Sequence, residues 1–173
     1  LERLVAVHEK NWGPQDDKTR HALVWRSNVL EHDKRYGEES KMLQRIADID
    51  AQTLGPEHPD TLITLNNLAF ALNKNGEHEN AIAIYQQVAD VEQRTLGPEH
   101  PSTLITLNNL ALALDNNGEH QKAILIHQRV NEVKQRALGP EHPDTLITLG
   151  NLAVALDNNG EHQKAILIHQ QVA

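Results

Sequence analysis

Residues 54–95 have the sequence LGPEHPDTLITLNNLAFALNKNGEHENAIAIYQQVADVEQRT, and the chain after them repeats it closely. The phrase LGPEHP begins at Leu54, Leu96 and Leu138, a constant spacing of 42 residues. A fixed period of this length is typical of stacked supersecondary units, because a single unit is too small to bury its own apolar face. The stretch therefore predicts a repeat array rather than one closed globule.

The repeated unit contains two apolar stripes with the spacing of an α-helix. The first consists of Leu62, Leu65, Leu68, Ala69 and Leu72, and the second of Ala81, Ile84, Tyr85, Val88 and Val91. Asp60, directly after Pro59, is the predicted N-cap of the first helix, and Gly76 is predicted to end it. No strand pattern competes, so each unit is predicted to be a helical hairpin followed by a short linker.

The period divides the chain into five segments of one predicted solenoid domain. These are residues 1–11 (second helix of a truncated repeat), 12–53 (a divergent repeat), 54–95, 96–137, and 138–173 (truncated in its second helix). The divergent repeat keeps Trp12-Gly13-Pro14 but replaces Asn66-Asn67 with Val24-Trp25 and Gly76 with Lys34.

Composition excludes several classes of partner. The chain has 16 Lys and Arg against 24 Asp and Glu, a net charge of -8, which predicts no nucleic-acid partner. It has no cysteine, so it has no disulfides and no thiolate metal ligands. No apolar run reaches the length of a membrane span. These features predict a cytoplasmic protein that does not bind membranes.

The sequence Asn67-Leu68-Ala69, followed by Gly76, His78, Ala81, Tyr85 and Val88, resembles the tetratricopeptide repeat (TPR). The 42-residue length and the phrases LGPEHPDT and LNNLA are similar to the kinesin-light-chain type of this repeat, which also occurs in C-terminal sensor regions of NLR-like (STAND) NTPases. The resemblance implies an all-α fold, a right-handed superhelical solenoid of antiparallel helix hairpins. It also implies that Ala69 and Ala81 mark the closest approach of the two helices in a hairpin.

The resemblance further implies a concave groove lined by the first helices. The candidate partner-binding residues are Ile63, Asn66, Asn67, Phe70, Asn73, Lys74, Ile105, Asn108, Asn109, Leu112, Asp115, Asn116, Asn151, Val154 and Asp157. An asparagine amide both donates and accepts, so a ladder of asparagines could bind the backbone of an extended peptide. Alternatively, one asparagine of each pair ties a hairpin to the next.

Eleven histidines raise the possibility of a metal site, but one histidine per repeat cannot converge on one ion, since neighbouring helices lie about 8–10 Å apart. We expect no metal and no cofactor. His127 and His169 are predicted to replace Tyr85 in packing, and the linker histidines His58, His100 and His142 to be solvated or bonded to a loop carbonyl.

Catalysis is not predicted either. Serine is scarce, cysteine is absent and no phosphate-binding loop is present, while the recurring Glu-His pairs are repeated rather than gathered into one asymmetric site. Two functions remain open. The first is a non-catalytic module that binds a peptide or protein segment, as the sensor or scaffold part of a larger signalling protein. The second is a structural array that self-associates through its exposed solenoid ends.

Overall fold

The computed structural model describes residues 2–13 and 16–172, and within these ranges the chain forms nine helices and no strand. The helices are α1 (Glu2–Trp12), α2 (Asp17–His32), α3 (Tyr36–Thr53), α4 (Pro59–Lys74), α5 (His78–Thr95), α6 (Pro101–Asn116), α7 (His120–Leu138), α8 (Pro143–Asn158) and α9 (His162–Val172). The predicted all-α fold is confirmed. Leu1, Pro14 and Ala173, which entered the predicted boundaries, lie outside the described residues.

The chain divides into two compact units, and the boundary falls between Ile84 and Tyr85 in the sequence of α5. In the first unit, α1 packs against α2, α2 against α3 and α3 against α4. In the second unit, α6 packs against α7, α7 against α8 and α8 against α9, and α6 also contacts α8. The connections are only a few residues long, so consecutive helices are antiparallel neighbours.

The core consists of the predicted stripes with two differences. Ala69 and Ala81 are completely buried, as are the equivalent Ala111 and Ala123 of the second unit. Leu65 and Ile84 are only half-buried, and Ile82 is buried instead of Ile84. The buried face of α5 is therefore rotated slightly from the face predicted.

Histidine, not aspartate, caps the first helix of the three repeats that begin at Leu54, Leu96 and Leu138. His58 is the N-cap of α4, and its Nδ1 accepts a hydrogen bond from the Asp60 backbone N–H at 3.2 Å. The same bond joins His100 to Ser102 and His142 to Asp144. The prediction for Asp60 was therefore wrong. The linker histidines are exposed or half-buried, and they bond to a backbone N–H rather than to a loop carbonyl. Asp60 lies inside the first turn, where its charge suits the helix dipole but its side chain is too late in the chain to cap.

A second contact that recurs in the linkers is a threonine hydroxyl that donates to a glycine carbonyl six residues earlier. Thr61 donates to Gly55 O at 2.8 Å, and Thr103 and Thr145 make the equivalent bonds to Gly97 and Gly139 at 2.9 Å. All three threonines are at most 1% exposed. Since a buried hydroxyl needs a partner, this bond fixes the linker against the helix that follows it.

The turn inside each hairpin requires a left-handed residue. Gly76 has φ +86° and ends α4 as predicted, while the Glu77 N–H donates to Leu72 O at 2.9 Å. This arrangement is a Schellman-type helix end, in which glycine avoids the Cβ clash of other residues. The divergent repeat uses Lys34 at the same point with φ +57°, the one non-glycine residue with positive φ in the described chain.

Lys34→Gly is expected to stabilise the chain by about 0.5–1 kcal/mol. The left-handed conformation costs an L-residue about 1–2 kcal/mol, and glycine offsets part of the relieved cost because it increases the conformational entropy of the unfolded chain. Thermal and urea unfolding would measure it. The reciprocal change Gly118→Lys, at φ +82°, should be destabilising. A destabilised Lys34→Gly variant would contradict the explanation.

Candidate functional site

The first helices of the repeats expose large apolar side chains at one repeated position. Ile63 in the first unit, and Ile105 and Ile147 in the second, are each 58% exposed. We call the exposed faces of α2 and α4 in the first unit, and of α6 and α8 in the second, the first-helix surface of that unit. Ile147 was not among the predicted residues, although adding one period to Ile105 would have found it.

The first-helix surface of the first unit contains a cavity of about 380 Å³ between α2 and α4, with α3 as its floor. It is lined by Arg20, Val24, Ser27, Asn28, Glu31, Glu39, Leu43, Ile46, Asp60, Ile63, Thr64, Asn67 and Phe70. Three predicted residues, Ile63, Asn67 and Phe70, thus lie together. Asn66 is half-buried and does not line the cavity. Lys74 is exposed, with Nζ 5.4 Å from the centre of the Phe70 ring.

In the second unit the predicted residues lie along α6 and α8, which contact each other. Asn108, Asn109, Leu112 and Asn151 are half-buried, while Asn116 and Val154 are exposed. The Asn108 Oδ1 atom is buried and has no hydrogen-bond partner among the described residues. An amide oxygen in this position can accept from a group that the chain itself does not supply.

Three other predicted residues close the hairpins. Asn73 and Asp115 are each only 8% exposed. His78 Nδ1 lies 2.7 Å from Asn73 Oδ1, and His120 Nδ1 lies 2.6 Å from Asp115 Oδ1. Asp157, with a side chain 59% exposed, makes the equivalent contact with His162 at 2.5 Å. These side chains join the end of a first helix to the start of the second helix.

Asp115 also joins two hairpins, since Asn158 Nδ2 donates to its second carboxylate oxygen at 2.8 Å. Asp115→Ala is therefore expected to cost about 1–3 kcal/mol, because it removes a buried carboxylate that accepts two hydrogen bonds. Asp157→Ala is the matched control, and its exposed contact should cost less than about 1 kcal/mol. Chemical denaturation of the two variants should separate them; equal costs would contradict this assignment.

A polar contact that the sequence did not predict joins α3 to both α2 and α4. Asp50 is fully buried, and the Arg20 guanidinium donates to both of its carboxylate oxygens, with Nη2 at 3.0 Å from Oδ2. The Thr64 hydroxyl donates to the same Oδ2 at 2.8 Å. The hydrogen bond to Asp50 raises the pKa of Arg20, which stays charged. Lys134 makes the corresponding contact in the second unit, donating to the Thr148 hydroxyl at 3.0 Å.

Glu39 is the second feature that the sequence analysis missed. It occupies the position of Ala81, Ala123 and Ala165, so a carboxyl stands where the other copies have a methyl group. It is 3% exposed, and its buried Oε2 has no partner among the described groups. Burial, with a smaller contribution from the charge of Glu31, raises the pKa of Glu39 to about 7. Comparing the repeats position by position would have revealed this exchange.

The histidines at the Tyr85 position have different environments. His127 is fully buried, neither ring nitrogen has a partner among the described residues, and burial lowers its pKa to about 4. His169 is exposed. The predicted packing role is therefore confirmed for His127, whereas the described structure shows no such packing at His169.

No cluster of three or more histidine, aspartate or glutamate side chains able to hold a metal ion occurs within residues 2–13 and 16–172. Over the same residues, no helix combines the length and the apolar content needed to cross a bilayer.

Comparison with known proteins identifies the repeats. A family model described as tetratricopeptide repeat matches residues 60–136 and 116–173, which together cover most of the chain. The chain belongs to the tetratricopeptide repeat family. TPR proteins are in general non-catalytic modules for protein interaction or scaffolding. None of the curated proteins compared has a significant match.

Solved structures agree with this assignment. A crystal structure described as a Podosopora anserina kinesin light chain with nearly identical TPR-like repeats is 30% identical, with a TM-score of 0.84 over 99% of this chain and 81% of that one. A single-substitution variant of it has a TM-score of 0.86 at the same identity and coverage. BtubC (BKLC) from P. vanneervenii has the same fold, with a TM-score of 0.77 and 19% identity over 90% of this chain and 62% of that one. The kinesin-light-chain-like type of TPR is thus confirmed.

Proposed function

We propose that this TPR chain is a non-catalytic interaction module whose first-helix surfaces bind a peptide or protein segment. The observation that carries the proposal is the repeated isoleucine, since Ile105 and Ile147 are both 58% exposed on neighbouring helices of the second unit. Exposed apolar side chains at a regular position, beside amides such as Asn109 and Asn151, are typical of a protein-binding surface.

The proposed contact residues differ in kind between the repeats. Apart from Asp157, which contacts His162, the exposed and half-buried members of the predicted set are Ile63, Asn66, Asn67, Phe70, Lys74, Ile105, Asn108, Asn109, Leu112, Asn116, Asn151 and Val154. To these we add Ile147 and Trp25, of which Trp25 is 55% exposed at the position of Asn67. A tryptophan in such a position can supply much of a binding energy. The amides would bind the peptide backbone, while the apolar side chains would select the sequence.

The double variant Ile105→Glu/Ile147→Glu tests the proposal. Its matched control is Leu125→Glu/Leu167→Glu, which adds the same charge at equally exposed positions, 59% and 60%, on the second helices α7 and α9. An array of immobilised peptides is probed with wild type and both variants. We expect the isoleucine variant to bind wild-type hits at least tenfold more weakly and the control to bind them unchanged. If the leucine variant lost binding and the isoleucine variant kept it, the proposal would be wrong and the binding surface would lie on the second helices.

We also propose that the module is cytoplasmic and belongs to a larger signalling protein, in which it would act as sensor or scaffold. The resemblance to TPR arrays of NLR-like NTPases supports this proposal. A nucleotide-binding domain in the sequence preceding residue 1 is the expected finding, and a motor-adaptor coiled coil there would contradict it.

Self-association is a second candidate function. Ile166 is 49% exposed on α9, although its equivalent Ile124 is 2% exposed, so α9 presents an apolar side chain that a second copy could cover. Light scattering over a concentration series would detect association, and Ile166→Glu should abolish it. A monomer at all concentrations would exclude this function.

A further inference from the structure

The cavity of the first unit has a buried carboxyl in its floor. Glu39 lines the cavity and is 3% exposed, and its buried Oε2 has no hydrogen-bond partner among the described groups. A buried carboxylate without a partner is costly, and an alanine would avoid this cost, as it does at the same position in the other three copies. A partner from outside the chain would compensate the charge.

The charges around the cavity favour a cation. Glu31 from α2 and Asp60 from α4 line it together with Glu39, whereas Arg20 is its one lining cation and is already bound to Asp50. The other nearby cations are engaged elsewhere. Arg26 lies 3.9 Å from Glu38, and Lys74 lies over the Phe70 ring. The cavity therefore has an excess of carboxyl groups and no free cation among its lining residues.

The walls favour a particular shape of cation. Val24 and Phe70 supply apolar surface from α2 and α4, and Asn28 adds an amide beside them. Of the two Glu39 carboxylate oxygens, only Oε2 is both buried and without a hydrogen-bond partner among the described groups. A single oxygen suits the compact ammonium of lysine better than a guanidinium, because arginine binds most strongly when it contacts both oxygens of a carboxylate. A long methylene stem with a terminal ammonium matches apolar walls above a charged floor.

We propose that this cavity binds a lysine side chain of the partner segment, with its ammonium against Glu39 Oε2 and its methylene groups between Val24 and Phe70. This inference rests on the proposed binding function and names one chemical feature of the partner. It also gives a reason for Glu39 in the divergent repeat, where the other three copies have alanine.

Protonation of Glu39 gives the proposal a pH signature. Burial and the neighbouring charge of Glu31 raise the pKa of Glu39 to about 7. In the free protein the Glu39 carboxyl is therefore mostly protonated at pH 6 and mostly ionised at pH 8. Lysine remains an ammonium over this range, because its pKa is about 10.4. Arg20 and Asp60 also line the cavity, and Arg20 stays charged because its hydrogen bond to Asp50 raises its pKa. An ammonium that binds only the ionised carboxylate should therefore bind about tenfold more tightly at pH 8 than at pH 6.

The probe is N-acetyl-lysine methylamide, titrated into the isotope-labelled chain and followed by NMR. N-acetyl-norleucine methylamide is the control compound, since it has a similar stem without the charge. We expect the lysine compound to shift the signals of Ser27, Glu39 and Phe70 and to bind at least tenfold more tightly than the norleucine compound. Glu39→Gln should remove this preference and its pH dependence, while the exposed control Glu132→Gln should keep both.

Glu39→Ala provides a second variant with the residue of the other copies, in case glutamine perturbs the fold; it should lose the preference too. Three results would each overturn the proposal. These are equal binding of the lysine and norleucine compounds, an unchanged lysine preference in Glu39→Gln, and tighter binding of N-acetyl-arginine methylamide than of the lysine compound. Array hits that depend on Ile105 and Ile147 but not on Glu39 would overturn the lysine pocket and leave the proposed function intact. Glu39-dependent lysine binding without array hits that depend on Ile105 and Ile147 would support the lysine pocket and overturn the proposed function.

Discussion

Asp50→Ala is expected to lower the free energy of unfolding by about 3–5 kcal/mol, since removing one partner of a buried ion pair leaves the remaining polar groups uncompensated. Asp50 is fully buried and accepts hydrogen bonds from Arg20 and Thr64, so one carboxylate joins α2, α3 and α4. Urea unfolding of the variant, followed by circular dichroism, measures this loss.

The surface pair of Arg136 and Glu99 is the control, because its two side chains are 67% and 62% exposed. Glu99→Gln should cost no more than about 1 kcal/mol. The double variant Arg20→Leu/Asp50→Leu should recover much of the stability, since leucine is the residue at the Arg20 position in the three later repeats. If Asp50→Ala cost no more than Glu99→Gln, the buried pair would not hold these helices together.

His127 is expected to make the chain acid-sensitive. Burial lowers its pKa from 6.5 to about 4, so the folded state favours the neutral ring. The resulting stability is fully present above pH 6.5 and is lost as the pH falls towards 4, because the unfolded state then binds the proton more strongly. A shift of this size corresponds to about 3 kcal/mol over the whole range, and to about 2 kcal/mol between pH 7 and pH 5.

His127→Tyr introduces the residue found at the equivalent position 85, where Tyr85 is 1% exposed. The free energy of unfolding of wild type should decrease between pH 7 and pH 5. In this variant the decrease should be smaller by about 2 kcal/mol. His169→Tyr, which replaces an exposed histidine at the same repeat position, should retain the wild-type loss. An unchanged loss in His127→Tyr would show that another group causes the acid sensitivity.

The helices could be predicted from the sequence because the period fixes both apolar stripes and breaker residues. Gly76 ended α4 as predicted, since only a few residues tolerate its left-handed conformation. The cap was misassigned because aspartate is the commoner capping residue, and sequence preference gave no reason to choose His58. The fold therefore followed from repeated local signals, while the identity of a cap depended on the position of a single side chain.

The binding surface was predicted less completely. Ile63, Asn67 and Phe70 do line one cavity, but Asn73 and Asp115 are buried by bonds to His78 and His120. Helical spacing alone does not distinguish an exposed polar residue from one that turns towards a partner in the next helix. Glu39 and Asp50 were not predicted because buried charged residues contradict the usual composition of a core. A position-by-position comparison of the repeats reveals Glu39, whereas the partners of Asp50 can be identified only from three-dimensional contacts.

The Thr61–Gly55 bond and the His58 cap have a consequence for the gene that encodes the chain. Both contacts are made within seven residues of one another, so every copy of the repeat carries its own connector and needs no matching change elsewhere. A duplication or deletion of 42 codons, begun at any point of the period, would leave each junction chemically complete. Unequal recombination between such copies can thus change the number of binding positions in a single step.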